Sequence, residues 1–352
     1  MALDTIPTPE AIRAALDDNT AMRARDLADK LGIREAQLVA ARAGQGVTRL
    51  EPHPDGIIGA ACTLGEIMAL TRNESCVSEV VGEYGNYTSG THAALALNEP
   101  IDMRIFPMRW GSAFAVETPI KDGIRRSLQV FDQAGDAVHK IFLRGEASLP
   151  AWTRAVETLR HADQSDSLAV EARMAPEGAR MNPAKVDDLR DAWRQMTDTH
   201  EFYMMVRKLK MNRLGAYRIS GAPFVRQLAV ESVDQMLTTA RDSSTGIMSF
   251  VGNRGCIQIF SGPIGTLKQV GPWQNILDPG FNLHLRTDHI AEVWAVDKPT
   301  NRGGAAVSVE AFDTEGNLII QFFGISREGR DTREEWKKIV AGLPDVKSIE
   351  VA

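Results

Sequence analysis

The sequence predicts an α+β protein built by internal duplication, in which two similar halves each contain a large antiparallel β-sheet flanked by helices. Three observations support this fold: segments that recur near half the chain length, alternating apolar patterns joined by short turns, and a polar connector with Pro and Gly between the copies. We expect an N-terminal repeat over residues 1–165, a linker over 166–188 and a C-terminal repeat over 189–352. A cleft between two such halves is a favoured place for a ligand.

The recurring segments are strands and hairpins. IDMRIFPMRWGSAFAVE (101–117) aligns with FNLHLRTDHIAEVWAVD (281–297), and RRSLQVFDQAGDAVHKIFL (125–143) aligns with AVSVEAFDTEGNLIIQFFG (306–324). The second pair has Phe-Asp-x-x-Gly at its centre, between two alternating runs, which is typical of a β-hairpin. Because short turns join antiparallel strands, each half is predicted to be an antiparallel sheet. Trp152 and Trp336 are predicted to lie in the helix that closes each half.

Composition excludes several classes of protein. The 352 residues are 43% apolar and carry a net charge of −6, which argues against binding of nucleic acid, a ligand that requires a broad basic surface. The first residues lack the pattern of a signal peptide, and no apolar run is long enough to span a bilayer. Cys62, Cys76 and Cys256 lie far apart, so we interpret them as buried apolar residues in a reducing compartment. A cytoplasmic protein that is not membrane-embedded is expected.

The segment DTHEFYMMVRKLKMNR (198–213) distinguishes the two halves, because scaffolding demands should be similar in both. The corresponding positions in the first half, for His200, Met204, Met205 and Arg213, carry Arg23, Leu27, Ala28 and Ala36. We expect Asp198 or Thr199 to cap a helix here, with Asp198 and Glu201 in capping-box spacing, and His200 in its first turn. An imidazole there can bind a metal, beside apolar side chains suited to a flat ligand and basic residues suited to carboxylates. The alternative is a surface histidine, a core Met/Phe face and a solvated basic face at Lys208 and Lys210.

Together with EPIDMRIF, RRSLQVFDQAGDAVHKIFL, GPWQNILDPGFNLHLR, VWAVDKPT and EAFDTEGNLIIQFFG, this segment resembles the cytoplasmic hemin-degrading or heme-transport proteins of the HmuS/HemS type, from bacterial heme-uptake systems. The resemblance runs from about residue 23 to residue 336, in the order that the family shows. It implies the same duplicated fold, with heme b bound as ligand or substrate in a cleft between the halves.

The resemblance also implies the site residues. His200 would be the axial ligand of the heme iron, and Arg104 the distal residue, with a catalytic part if the protein is an enzyme. The other heme contacts that it implies are Arg213 and Lys298 at the propionates, and Phe323 and Arg327 near the end of the last strand. Neutral imidazole is a common axial ligand of heme iron, and cationic side chains suit propionates. Arg104 aligns with His284, so the distal cation belongs to one copy only.

Two functions remain open at this point. The protein is either a carrier that receives imported heme and traffics, sequesters or passes it on for iron release, or a heme-oxygenase-like enzyme that opens the ring with a reductant and O2 or peroxide. The resemblance implies an inner-membrane heme ABC importer and a downstream heme oxygenase as partners, and it is compatible with a homodimer.

Overall fold

The structure, a computed structural model, describes residues 6–301, 304–327 and 329–346. The predicted repeats extend beyond these residues at both ends of the chain. The strands form two sheets of nine strands each, and the strand pairs with a described register are antiparallel. Together with the flanking helices and the recurrence of the same elements in each half of the chain, this confirms the predicted fold class.

The chain divides into two compact units. Unit one comprises Met1–Arg72, Ser78–Met174 and Gly252–Gln258, and unit two comprises Asn73–Val77, Ala175–Val251 and Ile259–Ala352. Among the described residues, no helix has both the length and the apolar character needed to cross a bilayer.

The elements of the first half follow one order: three helices, a strand, a fourth helix, the remaining strands and a closing helix. The helices are α1 (Pro9–Asp18), α2 (Ala24–Lys30), α3 (Glu35–Ala40), α4 (Pro54–Ala61) and α5 (Leu149–Leu159). The strands are β1 (Val47–Leu50), β2 (Ile67–Arg72), β3 (Cys76–Gly82), β4 (Tyr87–Thr88), β5 (Ala94–Leu97), β6 (Asp102–Ile105), β7 (Ser112–Ile120), β8 (Gly123–Phe131) and β9 (Ala137–Leu143). Strands β1, β7, β8, β9 and β2 are neighbours in that order, and β4, β5 and β6 form a second run.

The second half repeats this order. Its helices are α6 (Val186–Arg194), α7 (Glu201–Lys208), α8 (Arg213–Ser220), α9 (Ser232–Asp242) and α10 (Arg333–Ala341). Its strands are β10 (Val225–Leu228), β11 (Ile247–Gly252), β12 (Cys256–Gly262), β13 (Leu267–Val270), β14 (Trp273–Asp278), β15 (Phe281–Arg286), β16 (Glu292–Lys298), β17 (Ala306–Phe312) and β18 (Leu318–Gly324). Strands β10, β16, β17, β18 and β11 are neighbours in the order of the first half. Trp152 lies in α5 and Trp336 in α10, as predicted.

The two Phe-Asp-x-x-Gly turns explain why these segments form hairpins. The Asp132 carboxylate accepts the Asp136 N–H at 3.0 Å, and the Asp313 carboxylate accepts the Asn317 N–H at 2.8 Å. Gly135 and Gly316 have φ of +81° and +82°, a left-handed conformation that glycine adopts without steric cost. The side-chain acceptor and the glycine therefore close the same turn twice, between β8 and β9 and between β17 and β18.

An aromatic cluster in unit two holds α6, α7 and α8 together. Trp193 of α6 contacts Phe202 of α7, with ring centroids 4.7 Å apart, and Phe224 at 5.2 Å. Phe202 also packs on Tyr217 of α8 at 5.7 Å. Phe202 and Val206 supply the buried face of α7, whereas Tyr203 and Met204 between them are exposed.

The structure corrects two details of the sequence analysis. Cys62 is exposed at the C-terminal end of α4, whereas Cys76 and Cys256 are buried as expected.

The second detail is the alignment of the two copies. The N-caps of α3 and α8 are Arg34 and Asn212, and β1 and β10 begin at Val47 and Val225. This constant offset of 178 residues (212 − 34 and 225 − 47) places Glu35, not Ala36, opposite Arg213.

Candidate functional site

The first turn of α7 carries His200, which is the N-cap residue and has helical φ and ψ of −69° and −23°. Its side chain is 86% exposed. The predicted capping box between Asp198 and Glu201 is wrong: the Glu201 carboxylate instead accepts the Thr197 hydroxyl at 2.8 Å and the Thr197 N–H at 3.2 Å. Glu201 therefore ties the segment before α7 to the helix, and the Asp198 side chain is used elsewhere.

Asp198 contacts the histidine itself. One carboxylate oxygen, Oδ1, lies 2.5 Å from His200 Nδ1 and also accepts the His200 backbone N–H at 2.9 Å. In the tautomer in which Nδ1 donates to this carboxylate, Nε2 keeps its lone pair. Among the residues described by the structure, no hydrogen bond reaches Nε2. The exposed ring can then offer Nε2 to a metal.

A pocket of about 520 Å³ lies along α7 and is lined by Met204, Met205, Arg207 and Lys208. Its volume is within the usual range for small-molecule sites. Met204 follows His200 by one helical turn, so both lie on the same side of the helix. The Met204 side chain is 64% exposed, which rules out a core role for it, whereas Met205 packs partly against the aromatic cluster. Arg207 also lies over the Tyr203 ring, at 5.5 Å.

A buried ionic network joins α8 to β16 and β17 in unit two. Arg213 Nη1 donates to Glu310 Oε2 at 2.8 Å, and Lys298 Nζ donates to Glu310 Oε1 at 2.9 Å. The Tyr217 hydroxyl donates to Glu310 Oε2 at 3.0 Å and accepts from Lys298 at 2.9 Å. The Ser308 hydroxyl donates to Glu310 at 2.8 Å. The structure thus brings together two residues predicted to contact propionates, on one carboxylate that sequence reasoning missed.

Burial and charge act in opposite directions in this network. Burial would raise the pKa of Glu310, but the charges of Lys298 and Arg213 hold that pKa well below its usual range, so Glu310 is an anion. Burial lowers the pKa of Lys298 to about 8, although Glu310 opposes the shift. Lys298 is 3% exposed, whereas the Arg213 side chain is 33% exposed. The Arg213 side chain is therefore the more accessible of the two, and the Lys298 ammonium is enclosed by its partners.

The first copy has no equivalent of this acid. Ser127 and Gln129 occupy the positions of Ser308 and Glu310 in the hairpin, and the Gln129 amide donates to the Ser127 hydroxyl at 2.9 Å. Glu35, the residue opposite Arg213, forms a different buried pair with Lys140 of β9. Each copy thus buries an ion pair between a helix and the sheet. In the first copy the helix supplies the acid and the strand the base, and in the second copy the helix supplies the base and the strand the acid.

Arg104 belongs to unit one, whereas the other predicted site residues belong to unit two. It lies on β6, directly opposite Leu95 of β5. Its guanidinium forms an ion pair with Asp102 of the same strand and donates to the Met103 carbonyl at 3.3 Å. A third of its side chain is exposed.

The last two predicted residues lie at the end of β18 and just after it. Phe323 is half-buried, and its ring is 5.0 Å from that of Phe250 on β11. Arg327 is half-buried in the loop before α10, where burial and the neighbouring charge of Arg330 lower its pKa.

The family model of the haemin-degrading HemS.ChuX domain matches residues 32–159 and 210–343, once in each half. The hemin transport protein HemS of Yersinia enterocolitica is 36% identical over 328 residues, 93% of this chain and 94% of that protein.

Two solved structures share the fold over most of the chain. Holo-PhuS, a heme-binding protein from Pseudomonas aeruginosa, has a TM-score of 0.91 and 39% identity, over 97% of this chain and all of that chain. ChuS, an E. coli heme oxygenase, has a TM-score of 0.81 and 32% identity, over 91% and 95%. The chain therefore belongs to the family of the haemin-degrading HemS.ChuX domain, of which it contains two copies.

Proposed function

We propose that this chain is a cytoplasmic heme carrier that binds heme b through the imidazole of His200. It receives imported heme from an inner-membrane ABC importer and passes it on to a downstream oxygenase for iron release. Family membership supports heme as the ligand, since HemS of Yersinia enterocolitica is described as a hemin transport protein and PhuS as a heme-binding protein.

The observation that carries the proposal is the exposed imidazole beside an apolar and basic pocket. His200 has its Nδ1 occupied by Asp198 and its Nε2 accessible, as an axial ligand of heme iron requires. Met204 and Met205 offer polarisable apolar surface to a macrocycle, and Arg207 and Lys208 carry cations next to it. An exposed single ligand on one helix suits a cargo that must be loaded and released.

The remaining contacts are assigned by the same chemistry. Arg213 is the preferred propionate contact in unit two, because a third of its side chain is exposed and an arginine keeps further N–H donors after pairing with Glu310. Lys298 would reach a propionate only after leaving Glu310, which makes it the more costly contact. We assign Arg104 to the distal side of the iron, and Phe323 and Arg327 to the periphery of the ring.

Heme degradation is the second candidate, favoured by the similarity to ChuS, which is described as a heme oxygenase. In this alternative heme is the substrate and supplies the iron at which oxygen reacts. The Arg104 guanidinium would then hold a water or an anion near the iron.

A hemin titration followed by visible absorption tests the proposal. We expect saturation near one heme per chain and a sharp Soret band that is lost or shifted in His200→Ala. His53→Ala is the matched control, since His53 is also an exposed N-cap histidine, with Asp55 beside its Nδ1 at 3.7 Å. Equal spectra for the wild type and His200→Ala would show that iron is held elsewhere.

Turnover of the loaded protein with a reductant separates the two functions. A carrier keeps its heme band when catalase is present, because only free peroxide attacks the cargo. Loss of the band with catalase present, with release of iron and a defined tetrapyrrole, would show that the protein is an enzyme.

A further inference from the structure

The Asp198 carboxylate makes two contacts with His200, one to the ring and one to the backbone. The same oxygen, Oδ1, binds both the ring Nδ1 and the backbone N–H of His200. The carboxylate thereby fixes the ring relative to the first turn of α7 rather than contacting it alone. The Asp198 side chain is about one-third exposed, so it is more shielded from water than the ring that it holds.

The duplication provides an internal control for this pair. The N-caps of α2 and α7 are Arg23 and His200, which places Ala21 opposite Asp198. The first copy therefore lacks both the imidazole and the carboxylate, and it still forms its helix. The helix of the second copy has no side-chain cap at its N-cap residue, and the Asp198 carboxylate contacts His200 instead.

We propose that Asp198 is a positioning residue for the heme iron, which holds His200 with Nε2 directed outward and increases electron donation from that nitrogen. The inference rests on the proposed function of His200 as the axial ligand. Residues that accept a hydrogen bond from a metal-ligating imidazole fix its tautomer and orientation and raise its basicity. A negatively charged acceptor has a specific consequence for iron: it stabilises the ferric state more than the ferrous state. Asp198 thus favours retention of ferric heme.

The experiment uses the full-length protein loaded with hemin and compares the wild type with Asp198→Ala and Asp198→Asn. Asparagine keeps an oxygen acceptor without the charge, whereas alanine removes both. We expect Asp198→Ala to weaken ferric heme binding by about tenfold or more, the usual effect of losing such a partner, and ferrous heme binding by less. In Asp198→Ala the ferric/ferrous midpoint potential should then rise and the iron–histidine stretching frequency should fall. Asp198→Asn should have values between those of the wild type and Asp198→Ala.

Asp191→Asn is the matched control, because Asp191 is an exposed acid of α6 that pairs with Arg194 and the change removes the same charge. If both Asp198 variants keep the midpoint potential and the iron–histidine frequency of the wild type and of Asp191→Asn, the inference is overturned and the proposed function stands. If the wild type and His200→Ala bind heme with the same spectrum, the proposed function fails, and the inference fails with it.

Discussion

At the residue scale, the second copy is distinguished by the charge at one strand position. Glu310 occupies a strand position where the first copy has the neutral Gln129, and it is enclosed by Arg213, Lys298 and Tyr217. Removing one partner of a buried ion pair leaves an uncompensated charge, which costs more than the pair contributes. The network thus fixes where the exposed part of Arg213 lies.

Glu310→Gln tests the network through its pH dependence. We expect the free energy of unfolding at pH 7 to fall by about 3–5 kcal/mol, as for other broken buried pairs. The native pKa of Glu310 lies below its unfolded value of about 4.5, so its contribution is present above pH 4.5 and is lost as the pH falls through the native pKa. The difference between wild type and variant should therefore shrink as the pH is lowered below 4.5.

Urea unfolding followed by tryptophan fluorescence, from pH 7 down to pH 3, measures this difference. Glu334→Gln is the control, since Glu334 forms an exposed pair with Lys337 and its replacement should leave stability unchanged. A difference between wild type and Glu310→Gln that is independent of pH would contradict an ionised Glu310.

Arg213→Ala tests the ligand contact at the same network. We expect hemin affinity to fall by about tenfold, or ~1.4 kcal/mol, because one charge-assisted contact to a propionate is lost. Arg218→Ala is the control on the same helix, where Arg218 pairs with Glu292 outside the network. Hemin titrations give the two affinities, and equal affinities for both variants would remove Arg213 from the site.

At the element scale, sequence reasoning predicted what is decided locally. The two hairpins were predictable because the residues that form each turn are close in sequence. Asp132 and Asp313 each lie three residues before the glycine that completes the turn. The contacts at the start of α7 were not predictable from the sequence. The Glu201 carboxylate binds Thr197 and not Asp198, although both residues lie at this end of the helix. Glu310 was missed for a different reason: its partners Lys298 and Arg213 lie 12 and 97 residues away, and alternation alone does not identify them.

Helix α8 places Arg213, and Gly215 is the position at which this placement is most sensitive. A Cβ on Gly215 would lie 1.9 Å from the Arg180 carbonyl oxygen of the connector, a distance that backbone cannot tolerate. We expect Gly215→Ala to lower both the midpoint of thermal unfolding and hemin affinity, because the connector or α8 must shift.

Gly59→Ala in α4 is the matched control, since nothing lies within 4 Å of its Cβ position and alanine is the better helix former. Its thermal midpoint should be equal to that of the wild type or slightly higher. Circular dichroism melts of both variants make the comparison, and equal midpoints for the two would contradict the contact with Arg180.

At the scale of the whole molecule, the duplication supplied one scaffold twice. The family match in each half shows that the scaffold is shared. The helix faces have nonetheless diverged: Leu27 of α2 is 1% exposed, whereas Met204 at the same position of α7 is 64% exposed. The repeat itself was readable in the sequence, because the strand patterns recur. The difference in exposure was not, because leucine and methionine are both apolar and only packing determines which one faces water.

This divergence predicts one heme per chain. The first copy has Arg23 and Ala21 where the second has His200 and Asp198, and its Leu27 is enclosed in the core formed with α1 and α3. Transplanting the pair by Ala21→Asp and Arg23→His should therefore leave the stoichiometry at one, because an imidazole alone does not uncover an apolar surface for the ring. The measurement is a hemin titration of the double variant in a His200→Ala background, where the proposed ligand of the second copy is absent. A new saturable Soret band there would show that the ligand pair suffices and that the exposed face of α7 is not required.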